Sequence, residues 1–295
     1  EMALTGYVTQ PKKVIVYVVK ADAENYTDAL NYLETVNFNY LAIPTVKTDD
    51  QVTALISWVK NQRDNKKLIK AVLPDANTAD NEGIINYTTA ANIIGTTTYT
   101  AEQFTPRIAG ILAGTPINIS ATYAPLAEVD DVTRLTRAEM DTAIEAGKFL
   151  IFNDGTKTKT GRAVNSLVTT TDKKNAQFKK IHIVEIMDMI TDDIRQTVED
   201  SYIGKYANSY DNKRLLIDAI RGYLDRLITD DVVQSGYTID IDVEANRSYL
   251  VSRGTDVSEM SELDIKKANT GSSVFLTGSI SLLDAIEDVE LKLYI

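Results

Sequence analysis

The sequence predicts a mixed α/β protein in two parts. A mostly parallel-sheet α/β domain is expected over residues 1–172, followed over residues 173–295 by an α+β domain with an αα-hairpin and a terminal strand arm. Three observations carry this reading. Short β-branched apolar runs alternate with amphipathic stretches in the first half, the pattern of successive βαβ units. In the second half the spacing changes to long single stripes at steps of three and four, which is the period of a helix. Gly and Pro supply only 14 and 6 of 295 residues, about half the usual share, so regular structure dominates.

The elements follow in order. Residues 14–19 are a continuous apolar run rich in Val and Ile, expected as a strand buried on both faces. A helix over about residues 26–35 places Ala29, Leu30 and Leu33 on one stripe, and residues 40–43 make a short strand stopped by Pro44. A helix starting near Thr48 or Asp49 carries Val52, Leu55, Ile56 and Val59, and a strand over 68–73 ends at Pro74. Ile84 and Ile85 give another short strand, residues 101–113 a helix closed by Gly114, and residues 117–120 a return to the sheet. Thr136 and Glu139 form a capping-box pair that opens a helix stopped at Gly147. Residues 149–152, a turn at Asn153, Asp154 and Gly155, and residues 163–169 read as a pair of strands, with the domain boundary in the polar stretch 170–175.

Beyond that boundary, Ile183, Met187, Ile190, Ile194, Val198 and Tyr202 mark one long helix over about 180–203 that Gly204 ends. Leu216, Ile220, Tyr223, Leu224 and Leu227 define a second helix, hence an αα-hairpin. Tyr237, Ile239, Ile241 and Val243 alternate with Thr238, Asp240 and Asp242, a half-buried strand with an acidic wet face. Ile286, Val289, Leu291, Leu293 and Ile295 finish the sequence, with Glu290, Lys292 and Tyr294 between the last four. The sequence therefore finishes inside a strand.

Charge and composition exclude much chemistry. Lys and Arg total 31 against 42 Asp and Glu, a net charge of -11, which argues against binding to duplex nucleic acid or to an anionic membrane. Cys is absent and His182 is the single His, so disulfides, thiolate nucleophiles, Cys-based metal sites and any two-imidazole site are excluded. No run approaches the roughly 20 apolar residues of a membrane-spanning helix, and residues 1–6 lack the pattern of a secretory signal, so cytosolic synthesis is expected. A start at Glu1, so close to an apolar run, points to sequence upstream.

Motifs for catalysis fail one by one. Neither Gly-rich phosphate-binding signature is present. The Asn153–Asp154–Gly155 segment, with Thr156, Thr158 and Thr160 behind it, reads as a hairpin turn and not a phosphate loop. Asp240 and Asp242 share one strand face but fall far short of the six to eight oxygens of a calcium site. His182, preceded by Lys179 and Lys180 at a helix start, reads as an ordinary packed or surface His, since no nucleophile elbow accompanies it. Trp58, among Ile56 and Val59, reads as core. No catalytic, cofactor-binding or metal-binding residue is predicted. The final strand remains, either as the last strand of its own sheet or as an arm that completes a neighbour's sheet.

The stretch Ile183-Val-Glu-Ile-Met-Asp-Met-Ile-Thr-Asp-Asp-Ile-Arg195, the joining piece Ser201-Tyr-Ile-Gly-Lys-Tyr-Ala-Asn208, and Leu215-Leu-Ile-Asp-Ala-Ile-Arg-Gly-Tyr-Leu224 resemble the C-terminal domain of contractile phage tail sheath proteins. Tyr17-Val-Val, Ala29-Leu and Asn37-Phe-Asn-Tyr-Leu-Ala-Ile-Pro44 are similar to the family's preceding α/β domain, and residues 136–171 to its close. The likeness is to the compact sheaths of Gram-positive prophages and phage-tail-like bacteriocins. It implies a non-enzymatic subunit that stacks as hexameric rings around an inner tube and contracts to drive the tube through a target cell envelope. It also implies an α/β part subtilisin-like in fold only, without a triad.

The partners implied are other copies of the chain in a helical sheath, the inner tail tube protein, and baseplate and tail terminator proteins. No cofactor, nucleic acid or direct membrane insertion is implied. The protein would sit in a virion or bacteriocin particle tail, synthesised and assembled in the host cytoplasm. The inter-subunit arm would be Ile286, Val289, Leu291, Leu293 and Ile295, while the family's N-terminal arm has no counterpart before Glu1. Lys213, Arg214 and Arg221 form a basic cluster expected to face an acidic tube. Two other readings stay open: an α/β hydrolase using His182 or a cleft carboxylate, and a monomeric small-ligand-binding protein with a pocket at the carboxyl ends of the strands.

Overall fold

The computed structural model describes residues 1–20, 23–172 and 174–294. It forms two compact units, one of residues 1–185 together with the segment from 285 onward, the other of residues 186–284. They part inside a long helix, beyond the polar stretch at 170–175.

The first unit is built on a four-stranded parallel sheet. Its strands are β1 (Tyr40–Ala42), β2 (Lys70–Pro74), β3 (Ile84–Tyr87) and β7 (Lys148–Phe149), in the order β1-β2-β3-β7. Helices α1 (Thr27–Glu34) and α2 (Val52–Asp64) supply Leu33, Leu55, Ile56 and Val59 to a core with Leu41, Ala71, Leu73 and Ile84. Helix α3 (Ala101–Ala113) supplies Phe104, Ile108, Ile111 and Leu112 to a second core with Val72, Ile85 and Tyr87. Side chains alternate across a strand, so Ala71 and Leu73 meet one helical layer while Val72 meets the other, and β2 is buried along its whole length.

Local signals set the helix ends. Thr100 caps α3 through a reciprocal box with Gln103, and Thr136 with Glu139 does the same for α4 (Arg137–Glu145). A 3-10 turn at Met2–Leu4 packs on α3, where Gly110 gives the backbone its room: a Cβ there would lie 2.8 Å from the Thr5 oxygen and 2.9 Å from that of Ala3.

Several expectations are corrected. Residues 14–19 are not a buried strand; Val16 and Val18 are 77% and 84% exposed, while Val19 packs on the α1–α2 core and the Tyr17 ring lies 5.4 Å from that of Tyr32 on α1. A strand buried on both faces needs a ladder beside it, and β1 keeps its outer edge free of any strand among the described residues. Residues 117–120 are a loop and not a return to the sheet. A small antiparallel sheet stands apart from the main one, in the order β5-β4-β6, made by β4 (Ala91–Ile94), β5 (Thr97–Thr100) and β6 (Asp131–Val132). The Asn153–Gly155 turn does close a hairpin, with Gly155 at φ 97. Its strands are β8 (Ile151–Asn153) and β9 (Thr158–Thr160), so the return strand comes before 163–169.

Helix α5 (Ile181–Ser201) begins in the first unit, where Glu185 lies 3.3 Å from the buried Lys70 ammonium and accepts a hydrogen bond from the Tyr40 hydroxyl. The second unit holds the rest of α5, α6 (Tyr210–Thr229), α7 (Val243–Ser252), α8 (Glu262–Lys267), and the antiparallel pair β10 (Thr238–Ile241) and β11 (Leu276–Ser279). Gly204, at φ 74, turns the chain after α5. The Tyr223 hydroxyl donates to Asp193 at 2.7 Å and so links α6 to α5.

Candidate assembly surfaces

The sites weighed for chemistry are occupied by structural work. His182 is 7% exposed and lines a cavity of about 40 Å³ with Tyr40, Ile181 and Glu185, which is about the room of one water. Asp240 takes the Lys266 ammonium at 2.6 Å, and Asp242 caps α7 by accepting from the Ala245 amide at 2.8 Å. No group of three metal-ligating side chains occurs among the described residues. Trp58 sits on the α1–α2 core and donates its indole N–H to Glu34 at 3.0 Å. The larger open groove, about 520 Å³, lies between α5 and α6 with Asp193, Asp200, Tyr223 and Asp230 on its walls. It is not at the carboxyl ends of the parallel strands, where a ligand site of the open α/β type belongs.

The basic cluster divides. Lys213 is 2% exposed, with its ammonium 3.2 Å from the Thr270 hydroxyl and 3.4 Å from the Ala268 carbonyl. Burial holds its pKa below the usual lysine value. Its ammonium is therefore not at the surface, where the expected basic cluster would need it: on α6 it shares the apolar stripe of Leu216, Ile217 and Ile220. Arg214 is exposed, and Arg221 is half-exposed, bonded to Asp218 at 3.3 Å and to the Ile239 carbonyl at 2.9 Å. Seven residues apart, the two stand two turns along one face, with Asp218 between them. The loop joining α5 to α6 offers two more protruding groups, Ile203 at 64% and Tyr206 at 51% exposure.

The arm is the strongest surface feature. Ile286, Val289, Leu291, Leu293 and Tyr294 are 74% to 91% exposed and lie in no strand; Ile295 lies outside the described residues. Isolated surface hydrophobics need no explanation, but a contiguous set of this size does. One residue of the arm behaves in the opposite way. The Glu287 side chain is 6% exposed, with one carboxylate oxygen 2.5 Å from the Thr122 hydroxyl and 2.9 Å from that of Ser120. Its other oxygen is 2.9 Å from the Lys180 ammonium and 3.9 Å from the Arg162 guanidinium, which also pairs with Asp288. Burial pushes the Glu287 pKa up, yet the hydrogen bonds from Thr122, Lys180 and Ser120 outweigh it and the net shift is downward.

Comparison with known proteins decides the family. Residues 19–166 match the phage tail sheath protein central domain, and residues 173–295 match the phage tail sheath C-terminal domain. The chain belongs to the phage tail sheath family. The tail sheath protein of Clostridium phage phiCD119 is 37% identical over 97% of this chain and 79% of its own length. Among solved structures, the sheath tail protein of Desulfitobacterium hafniense is 30% identical with a TM-score of 0.67, over 74% of this chain and 53% of its own, so this sheath chain spans about half of that relative. The helical sheath of the anti-feeding prophage in its contracted state shares the fold at a TM-score of 0.67 and 15% identity, over 94% of this chain and 76% of its own. The sheath family is a structural one, and the mixed α/β architecture is the family's.

Proposed function

We propose that this chain is the polymerising subunit of a contractile sheath: copies stack as hexameric rings into a helix around an inner tube, and the helix shortens on triggering to drive the tube through a target envelope. The observation that carries this reading is the arm, whose apolar side chains stand in water while its base is held by buried polar bonds. Burying each of Ile286, Val289, Leu291 and Leu293 on a neighbour would contribute roughly 1.5 to 3 kcal/mol as an upper bound. Main-chain ladder bonds would add to that. A strand exchanged in this manner keeps subunits joined while their bodies rotate, which a sheath that contracts requires.

The contracted helical sheath of the anti-feeding prophage, of the same fold, supports the mechanical half of the reading. Arg214 and Arg221 are the proposed tube contact, and baseplate and tail terminator proteins the partners at the two ends. The particle would be a phage or bacteriocin tail assembled in its host's cytoplasm. Deletion of residues 286–295 tests the arm. The truncated protein should stay folded and fail to form sheath when expressed with the tube protein; sheaths of normal length in electron micrographs overturn the reading.

A further inference from the structure

We propose that Ser120, Thr122, Arg162 and Lys180 form an anchoring site that holds Glu287 of the same chain, so that in the assembled sheath the base of the arm stays at home and the residues after Asp288 cross to the neighbour. The inference rests on the reading of this segment as an inter-subunit arm and adds where that arm is fixed.

The exposure pattern of the segment is inverted. Ile286 and Val289 are 88% and 83% exposed, whereas the Glu287 side chain between them is 6% exposed. Folding alone favours the reverse, because a carboxylate leaves water only at high cost unless it is paired and hydrogen-bonded. Glu287 meets that condition in full, with two partners on each oxygen. The site that receives it is built into the α/β unit. The Ala163 amide donates to the Thr122 hydroxyl oxygen at 3.0 Å, which directs the hydroxyl proton towards Glu287. The Thr122 amide donates to Ser120 Oγ at 3.1 Å, and Lys180 is held by a backbone bridge to Val164. The guanidinium of Arg162 spans Glu287 and Asp288, so both acids are gripped before the chain turns fully to solvent. Such a clamp fixes the point of departure and the direction of the arm, and it leaves the apolar residues beyond it to find a partner.

Charge reversal in cis and in trans tests the assignment. Glu287→Lys and Lys180→Glu, each made in the full chain, should lower sheath yield by at least about tenfold, since each leaves a buried charge unpaired or opposed. The same-chain double variant should recover at least about threefold of that loss, with the unchanged Arg162 still opposing the new Lys side chain. An equimolar mixture of the two single variants should not. Restoration by the mixture would place the bond between copies and overturn the same-chain anchor, as would normal assembly of both single variants. Thermal melting of the unassembled subunits is followed in parallel. Where a reversal lowers it, Glu287→Gln, which keeps the shape and a hydrogen-bonding oxygen but not the charge, is the variant compared, and parent-like sheath yield from it overturns the anchor. The 286–295 deletion separates the two levels. If it assembles normally the arm reading itself falls; if it fails to assemble while Glu287→Lys succeeds, the anchor alone falls.

Discussion

Shortening two arm side chains, Leu291→Ala with Leu293→Ala, tests the energetic basis of assembly without touching the fold. The residues are 74% and 79% exposed in the single chain. Each replacement removes three carbons, about 2.4 kcal/mol at roughly 0.8 kcal/mol per methylene. Because about three quarters of each residue is open to water before assembly, a neighbour that covers it recovers about 1.8 kcal/mol, or about 3.6 kcal/mol for the pair. At about 1.4 kcal/mol per decade this is a weakening of about 400-fold per arm contact. The assay is the critical concentration for polymerisation by sedimentation, with thermal melting of the dilute subunit as control. Melting should hold within about 0.5 kcal/mol, since the substituted groups make no core contact. A critical concentration within about threefold of the parent would refute the argument. A subunit that melts earlier by several degrees would do the same.

Three further outcomes are expected. Arg214→Glu, at an exposed position, should weaken tube binding at low salt and leave subunit stability unchanged; adding Arg221→Glu should weaken binding further and also cost some stability, because Arg221 donates to the Ile239 carbonyl and pairs with Asp218. Lys213→Ala should lower stability by about 1 to 3 kcal/mol through the cavity its buried stem leaves and the donor the Ala268 carbonyl loses, with tube affinity per folded subunit unaltered; the reverse pattern in co-sedimentation and melting would exchange their roles. The Glu287 carboxylate, held below its ordinary 4.5, stabilises the docked arm above that value and loses its contribution as the pH falls through the depressed one. Arg162 and Lys180, which face it, stay charged throughout, and Asp288, also held low by Arg162, acts with the same sign. Exchange protection of the Ala163 amide should therefore fall in acid, and protection unchanged down to about pH 3 would count against the clamp. Gly110→Val should dislodge residues 2–5 from α3 and open that segment to proteases, because its side chain would collide with the Ala3 and Thr5 carbonyls.

Much of the α/β core was legible because its signals are local. Helix α3 ends at the Gly114 that the sequence marks as its stop, and α4 opens at its capping box. The apolar run at residues 14–19 misled because β-propensity reports a surface that suits a sheet, not whether a neighbouring strand is there to pair with. The β4–β5 hairpin does carry a local signal, the two-residue turn Gly95 and Thr96 between Ile94 and Thr97, with Gly95 at φ 58. Lys213 and Arg214 are adjacent in the chain but not on the helix surface. Helical geometry turns successive residues by about 100°, and the same stripe that predicted Leu216 and Ile220 as core already included Lys213. The clamp on Glu287 had no such trace. Its partners Ser120 and Thr122 are 167 and 165 residues away, and one acid among 42 carries no mark of burial.

The largely exposed run at residues 14–18 bears on how the unassembled subunit behaves in bulk. Val14, Ile15, Val16, Tyr17 and Val18 form a stretch with no charge and no Pro, the composition from which cross-β stacks grow. Lys12, Lys13 and Lys20 bracket it, so identical copies stacked in register would bring like charges together at both ends, a gatekeeper arrangement. That protection is electrostatic and weakens as the screening length shrinks from about 10 Å at 0.1 M salt to about 3 Å at 1 M. Concentrated salt, a common means of precipitating proteins gently, should therefore weaken the like-charge repulsion that opposes in-register stacking of this run in free subunits.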